Sequence, residues 1–285
     1  MLAIFRDLLA PPRDLILIVA AAWFGLSLAE KRAARYHVDA EVLNNLIFTG
    51  LLAYIIGGRL FYAAEHISAF AQSPLSLISL NITLFDSWGA LAAAIITGLA
   101  YAQRKGLSLW STLDALTLFF AALAVGLGFS HLASGAAFGQ ETSLPWAINL
   151  WGAMRHPTQI YEIIASFLTL GLFWFRKADS KPGSDFLLFA ALTAASRLII
   201  EAFRGDSTLI FGDLRVAQLV AWGILAIALL ALEFLRPKIA PIIVNEPEEE
   251  ILPIKTESKK AKSSVTKPKR NNLKTKKKST KTSKA

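Results

Sequence analysis

The sequence predicts an all-α, polytopic membrane protein of about seven transmembrane helices, followed by a disordered basic tail. Three observations carry this expectation. The 285 residues are 54% hydrophobic with a mean hydropathy of +0.47, too apolar for an ordinary soluble domain. Seven apolar stretches, at about 15–30, 43–66, 86–102, 112–133, 158–175, 184–203 and 216–236, have the length and character of bilayer-crossing helices. The net charge of +9 is confined to the end: Pro237 to Ala285 hold fourteen Lys/Arg and five Asp/Glu, so residues 1–236 are neutral overall. The chain thus divides into a transmembrane domain, 1–236, and a Lys-rich tail, 237–285. Within lipid the backbone must satisfy its own hydrogen bonds, which favours helices for the spans.

The first segment is short before Glu30 and has a signal peptide's length. Six further spans and the Pro11-Pro12 pair predict an uncleaved anchor instead. The second contains GGRLFY, residues 57–62. Gly57 and Gly58 allow another helix to approach closely. Arg59 lies at membrane depth, where it is either paired to a neighbouring helix or functional. The third segment follows Asp86, which suits a helix N-cap. The fourth ends in GFSHLASG. His131 there reads as a hydrogen-bonded histidine at a helix end, since no His, Asp or Glu with ligand spacing surrounds it.

RHPTQIYE, residues 155–162, opens the fifth segment. Pro157 suits a first helical turn, where its missing N–H is no loss. Gln159 and Glu162 share a helical face, with Thr158 at its edge and Tyr161 adjacent. A glutamate one turn into a span requires a cation or a proton; the alternative is a polar helix cap. SRLIIEAFRGD, residues 196–206, closes the sixth segment. Arg197, Glu201 and Arg204 are spaced four and three apart and form a stripe. One Arg–Glu pair flanked by a second Arg leaves a positive charge unspent, suited to gripping a phosphate in a fork. The alternative is a self-satisfied salt bridge, with Gly205 and Asp206 forming a turn.

Lys31, Arg32, Arg35, Arg104, Lys105, Arg176, Lys177, Lys181 and the tail fall on one side of the predicted topology. Arg6, Arg13, Arg155, Arg204 and Arg215 fall on the other. The richer side should be cytoplasmic, so the N-terminus is expected outside, the C-terminus in the cytoplasm, and RHPTQIYE near the outer face. The tail lacks aromatic residues and apolar periodicity and is not expected to fold alone. Its lysines suit anionic lipid headgroups; charge alone does not argue for a nucleic-acid partner. The chain has no cysteine, so any thiol chemistry must use a substrate's thiol. Neither a metal nor an organic cofactor is expected.

Three strings carry a family resemblance. HPTQIYE, His156–Glu162, resembles the H-P-[ST]-Q-[LI]-Y-E signature of bacterial prolipoprotein diacylglyceryl transferases. GGRLFY resembles that family's G-[AG]-R-x-x-Y segment, and SRLIIEAFR, Ser196–Arg204, its R-[FL]-[IL]-[IV]-E-x-x-R segment. Their order and spacing agree over roughly residues 15–236. The resemblance implies a multi-pass enzyme of the bacterial cytoplasmic membrane, active in lipoprotein biosynthesis. It would move the diacylglyceryl group of phosphatidylglycerol to the lipobox cysteine thiol of a secreted prolipoprotein, forming a thioether. It also implies Arg197 as the leading catalytic residue, oriented by Glu201, and Arg59 on the lipid phosphate. His156, Gln159, Tyr161 and Glu162 would shape the headgroup pocket, with Arg204 beside them.

Two family motifs are changed. Trp88-Gly89-Ala90 stands in place of a His-Gly-Gly. Aligned on Ser134-Gly135, Gly128 replaces the arginine and His131 the first asparagine of G-R-[IL]-G-N-[FC]-x-N-G. His131 is thereby a candidate cation or base. Three readings follow: a working transferase with a shifted site, a paralogue that keeps a lipid pocket without the chemistry, and a related transferase with another acceptor. The first requires Arg59, Arg197 and the 156–162 turn to meet at one cavity open to acyl chains.

Overall fold

The computed structural model describes residues 13–72, 84–177, 181–210, 212 and 214–235. Arg6 and the tail, 237–285, lie outside the described residues. Seven long helices coincide with the seven apolar segments: α1 (Arg13–Ala33), α2 (Ala40–Glu65), α3 (Ser87–Arg104), α4 (Leu109–Ser134), α5 (Thr158–Phe175), α6 (Ser184–Glu201) and α7 (Val216–Leu235). By length and composition, α2, α4, α5 and α7 are apolar enough to cross a membrane. The other three are more polar: α3 is alanine-rich, α1 ends in charges and α6 carries Asp185, Arg197 and Glu201.

Strictly all-helical architecture is not what forms. Two short antiparallel hairpins join helices: β1 (Ile148–Leu150) with β2 (Ala153–Arg155), and β3 (Leu209–Ile210) with β4 (Leu214–Arg215). A short helix, Ile67–Gln72, follows α2.

The sequence of α4 is apolar around its whole circumference, which suits a helix surrounded by others. It occupies that place, packed against α1, α5 and α6, with buried residues from Thr112 to Ser130. Close approach to α1 depends on small residues: a Cβ at Gly126 would collide with the Ala21 methyl, and one at Gly25 would sit 3.0 Å from Phe119 O. The α2–α3 pair uses the same device, with Gly57 against Ala93. Gly58 faces the Phe85 ring, and Asp86 N donates to Gly58 O at 3.0 Å. Asp86 Oδ1 accepts from Gly89 N at 2.5 Å and caps α3 as its position predicts.

One end of the bundle is tied by side chains that satisfy helix termini. Asp114, on α4, accepts from Gly183 N (2.5 Å) and Phe186 N (2.8 Å) at the start of α6. Arg32, on α1, donates to Phe173 O at 2.8 Å and to Trp174 O at the end of α5. Lys181 donates to Leu235 O at the end of α7. The buried Asp185 accepts from Tyr36 Oη at 2.7 Å and pairs with Arg176 at 2.8 Å. Burial and the Asp185 hydrogen bond push the Tyr36 phenol well above its usual range. These contacts place the ends of α1, α5 and α7 beside the start of α6, so α4's C-terminus, α5's N-terminus and α6's C-terminus meet at the opposite end.

The glycine contacts yield a stability prediction. Gly126→Leu should cost about 1–3 kcal/mol by overpacking the α1–α4 crossing. Gly50→Ala, on α2 with nothing within 4 Å of the added Cβ, should be neutral or stabilising by up to about 1 kcal/mol. Thermal unfolding in detergent micelles measures both.

Candidate functional site

The site is built around the Glu162 carboxylate, which stands one turn into α5. His131 Nδ1, near the end of α4, lies 2.8 Å from Glu162 Oε2. Arg197, on α6, donates to Oε1 at 3.1 Å, and Arg204, just past α6, donates to the same oxygen at 3.2 Å. The cation that the glutamate needs is thus supplied by two arginines. Glu201 continues the cluster. Its Oε2 is 3.0 Å from Arg197 Nη2 and 3.8 Å from Arg204 Nε, ion-pair distances without hydrogen-bond alignment.

The unspent positive charge expected of the Arg197–Glu201–Arg204 stripe does not survive folding. Glu162 comes in from α5, and Asp206 takes Arg204 in a two-point grip at 2.9 Å and 2.9 Å. Burial opposes the Arg204 charge, but the Asp206 hydrogen bonds and the Glu162 and Glu201 charges hold its pKa above the ordinary value. Arg204 is therefore the locked member. Arg197 is the accessible one, with 36% of its side chain exposed against 11% for Arg204.

That exposure opens into a cavity of about 130 Å³ between α4, α5 and α6. His131, Glu162, Ser196 and Arg197 line its charged and polar end, and Ser166, Thr169 and Thr193 add hydroxyls; Ala121, Leu127, Phe189 and Ile200 are among its apolar residues. A larger cavity, about 220 Å³, lies between α1, α4 and α5, but its lining residues, Leu17, Phe24 and Phe129 among them, are all apolar. Of these two, the smaller cavity joins hydrocarbon walls to a polar end, the form that a lipid headgroup site requires.

Two residues the sequence groups with Glu162 point elsewhere. Thr158 and Gln159 are fully buried. Thr158 Oγ1 donates to Ala137 O at 2.5 Å and Gln159 Nε2 to Ala136 O at 2.9 Å. They hold the segment leaving α4 rather than line the cavity. Residues 138–142 then run between two other segments, with single antiparallel bridges from Gly139 to Arg204 and from Glu141 to Arg155. Gly205 N donates to Phe138 O (2.8 Å), Gln140 N to Phe203 O (2.8 Å), His156 N to Gln140 O (2.9 Å) and Thr142 N to Met154 O (2.9 Å). Gly139 is required here, because a Cβ would run into His156 and its carbonyl. This ladder sets the spacing between the HPTQIYE turn and Arg204. His156 and Tyr161 flank the Phe203 ring, with centroids 5.1 and 6.2 Å from it, and the Tyr161 hydroxyl accepts from Trp146 Nε1 at 2.9 Å.

Arg59 does not line the cavity. It stands on α2, which packs with α3 and α1, so the convergence expected of it with Arg197 is not seen.

The altered motif positions have physical consequences. Gly128 lies against α5, where a Cβ would be 2.8 Å from Ile163 Cγ1 and 3.2 Å from its backbone nitrogen. A long side chain there would force α4 and α5 apart. The closeness that Gly128 permits brings His131 to Glu162. Trp88 faces outward from α3, while Gly89 lies under the Phe61 ring.

Arg215, which the sequence reading used only for orientation, is a structural member of the site. Its Nη1 donates to Glu201 O (2.7 Å), Arg204 O (2.7 Å) and Ser207 Oγ (2.5 Å). It satisfies carbonyls at the C-terminus of α6, where a cation is favoured, and fixes the turn bearing Glu201 and Arg204.

The family model for prolipoprotein diacylglyceryl transferase matches residues 15–234. Among similar proteins, a phosphatidylglycerol–prolipoprotein diacylglyceryl transferase of Trichormus variabilis is 29% identical over 254 residues, spanning 82% of this chain and 89% of that protein. One from a Nostoc species is 28% identical over 245 residues (80% and 86%). One from Finegoldia magna is 28% identical over 215 residues (74% and 85%).

The Arg215 clamp predicts an unequal effect of two truncations. Arg215→Ala should destabilise by about 1–3 kcal/mol, leaving carbonyls unsatisfied. Gln218→Ala, which removes one 3.3 Å bond to Leu198 O, should cost less. Thermal unfolding of both variants in micelles provides the comparison.

Proposed function

We propose that this chain, which belongs to the prolipoprotein diacylglyceryl transferase family, moves the diacylglyceryl group of phosphatidylglycerol to the lipobox cysteine of a prolipoprotein. The single observation that carries the proposal is the cavity between α4, α5 and α6, where Arg197, Glu162 and His131 meet hydrocarbon walls. All seven long helices span the bacterial cytoplasmic membrane, with the N-terminus outside. The tail is cytoplasmic and meets anionic headgroups.

The acyl chains of the donor lie along the apolar walls and its phosphate meets Arg197, the more exposed of the two arginines. The acceptor sulfur attacks the glyceryl carbon that carries the phosphoester oxygen. A C–S bond forms, the C–O bond breaks, and glycerol phosphate leaves with the bonding electrons. Arg197 stabilises the negative charge on that leaving group. Glu162 and Glu201 orient the guanidinium, and Arg204, held by Asp206, keeps the carboxylates in place.

The thiol must lose its proton, and a free thiol has a pKa of about 8.5. His131 receives it. The Glu162 carboxylate accepts a hydrogen bond from Nδ1–H, which leaves Nε2 as the basic nitrogen. His156 and Tyr161 shape the headgroup end through the aromatic group with Phe203. Gln159 acts through the 136–137 loop. Arg59, which does not line this cavity, takes no part in holding the phosphate here; of the meeting expected with it, Arg197 and Glu162 of the 156–162 turn carry the site.

Complementation of a transferase-depleted bacterium tests the activity, with thioether-linked lipid on a reporter lipoprotein as readout. The expected result is lipidated reporter. Unlipidated reporter despite stable membrane expression would leave the lipid-binding paralogue as the better reading. Arg197→Ala should lower transfer by about 100-fold or more, with the folded protein still present in membranes. His131→Ala should cost about 100- to 10,000-fold; full activity in that variant would remove histidine from the mechanism.

A further inference from the structure

The segment joining α4 to α5 carries large apolar side chains that the fold leaves uncovered. Trp151 is 67% exposed, Trp146 56% and Met154 49%; Leu144 is exposed beside them. Trp151 and Gly152 form the two-residue turn between β1 and β2, with φ of 55° and 77°. Positive φ at both positions is the geometry that Asn-Gly favours and that a bulky residue resists. The tryptophan is nevertheless held there. Its Nε1 donates to Gly135 O at 2.9 Å, and its ring lies so close that a Cβ on Gly135 would be 3.0 Å away. Gly135 is the C-cap of α4.

These contacts fix the depth of the ring. Both helices flanking the segment are apolar and long enough to cross a bilayer, and Trp151 is bonded to the terminal cap of one of them. An indole at the end of a spanning helix stands at the membrane–water boundary, where tryptophan is enriched. Both indole N–H groups already have protein acceptors, Gly135 O and Tyr161 Oη. The exposed rings can therefore enter the upper acyl region without stranding a donor.

We propose that the segment 144–155, which ends in the β1–β2 hairpin, is an interfacial anchor, with Trp146, Trp151 and Met154 set into the headgroup–acyl boundary of the leaflet that the catalytic cavity faces. The occupant of this surface is lipid. The proposal rests on the spanning reading of α4 and α5 above. Through Trp146 and Tyr161 the anchor is continuous with His156 and Phe203, so it holds the polar end of the cavity at the level of the donor's phosphate.

Fluorescence of the full chain in phosphatidylglycerol–phosphatidylcholine vesicles tests this, using lipids brominated at shallow or deep acyl positions and iodide in the water. The Trp151 signal is the difference between wild type and Trp151→Phe. It should be quenched at least twofold more by shallow than by deep bromine and be shielded from iodide. Iodide quenching without bromine quenching would overturn the anchor. So would shielding from iodide that appears only when a lipobox peptide is added, which would make the hairpin a peptide site. Trp151→Asn gives a second difference spectrum with a residue that suits the turn, should the Phe variant misfold. Trp222, on α7, serves as the reference through Trp222→Phe and should be quenched by bromine. If it is quenched while Trp151 is not, the anchor alone fails; if neither is quenched, the spanning reading fails and the anchor with it.

Discussion

A carboxylate placed among hydrocarbon helices must be paired, and the site depends on how Glu162 meets that demand. Its two oxygens collect His131 from α4, Arg197 from α6 and Arg204 from the turn after α6. Each partner approaches from a different direction. The pairing is therefore more than a local helix salt bridge, because it fixes three chain segments relative to one another. An unpaired charge at such depth costs several kcal/mol, so the cluster favours one arrangement of α4, α5 and α6 over any slipped alternative.

The opposite end of the bundle makes this arrangement possible. Asp114, Arg32, Lys181 and Asp185 satisfy helix termini from neighbouring helices. A helix end in or near lipid has few waters for its free N–H and C=O groups, so the partner must come from the protein. Each of these bonds sets the height of one helix against another. On the far side those heights appear as the coincidence of His131, Glu162 and Arg197 at one cavity. The small residues at the α1–α4 and α4–α5 contacts set the lateral spacing in the same way.

Much of the helical plan is legible in the sequence, because seven apolar runs of helical length mark it out, and each became a helix at nearly the expected limits, four of them apolar enough to cross a membrane. Within single helices the reading also carries: the Arg197–Glu201 pair and the Asp86 cap follow from helical spacing. What could not be read depends on segments far apart in sequence. No periodicity tells that Asp206 and Glu162 absorb the charge left over in the stripe, or that Gln159 turns to a carbonyl of the loop after α4. The 138–142 segment has no alternating pattern, since it meets its neighbours, β2 and the turn after α6, only through isolated bridges and single hydrogen bonds. Arg215 looks like any basic residue between spans, and only the fold shows it clamping the end of α6. Arg59, equally conspicuous, does not line the cavity, since α2 packs mainly with α3 and α1.

The charge of the assembled cluster bears on the chemistry. Glu162, Glu201 and Asp206 face Arg197 and Arg204, and Arg215 lies against the backbone of the same turn, so three carboxylates meet three guanidinium groups and the cluster has no surplus cation. An arriving phosphodiester adds a negative charge, which the cluster accommodates best if a positive charge appears during the reaction. In the proposed mechanism it does: the thiol proton moves to His131 as the sulfur becomes nucleophilic, and the new imidazolium stands beside Glu162 and restores the balance. The same proton transfer that creates the thiolate thus frees Arg197 to turn from Glu162 toward the leaving phosphate. Where the family resemblance implies an arginine, Gly128 leaves α4 without a fixed cation, and in the proposed mechanism His131, one turn closer to the end of α4, returns that charge only when the acceptor thiol supplies the proton. A permanent positive charge at 128 would stabilise the bound lipid and the leaving group alike, whereas a histidine favours the stage at which negative charge develops, which is where stabilisation raises the rate.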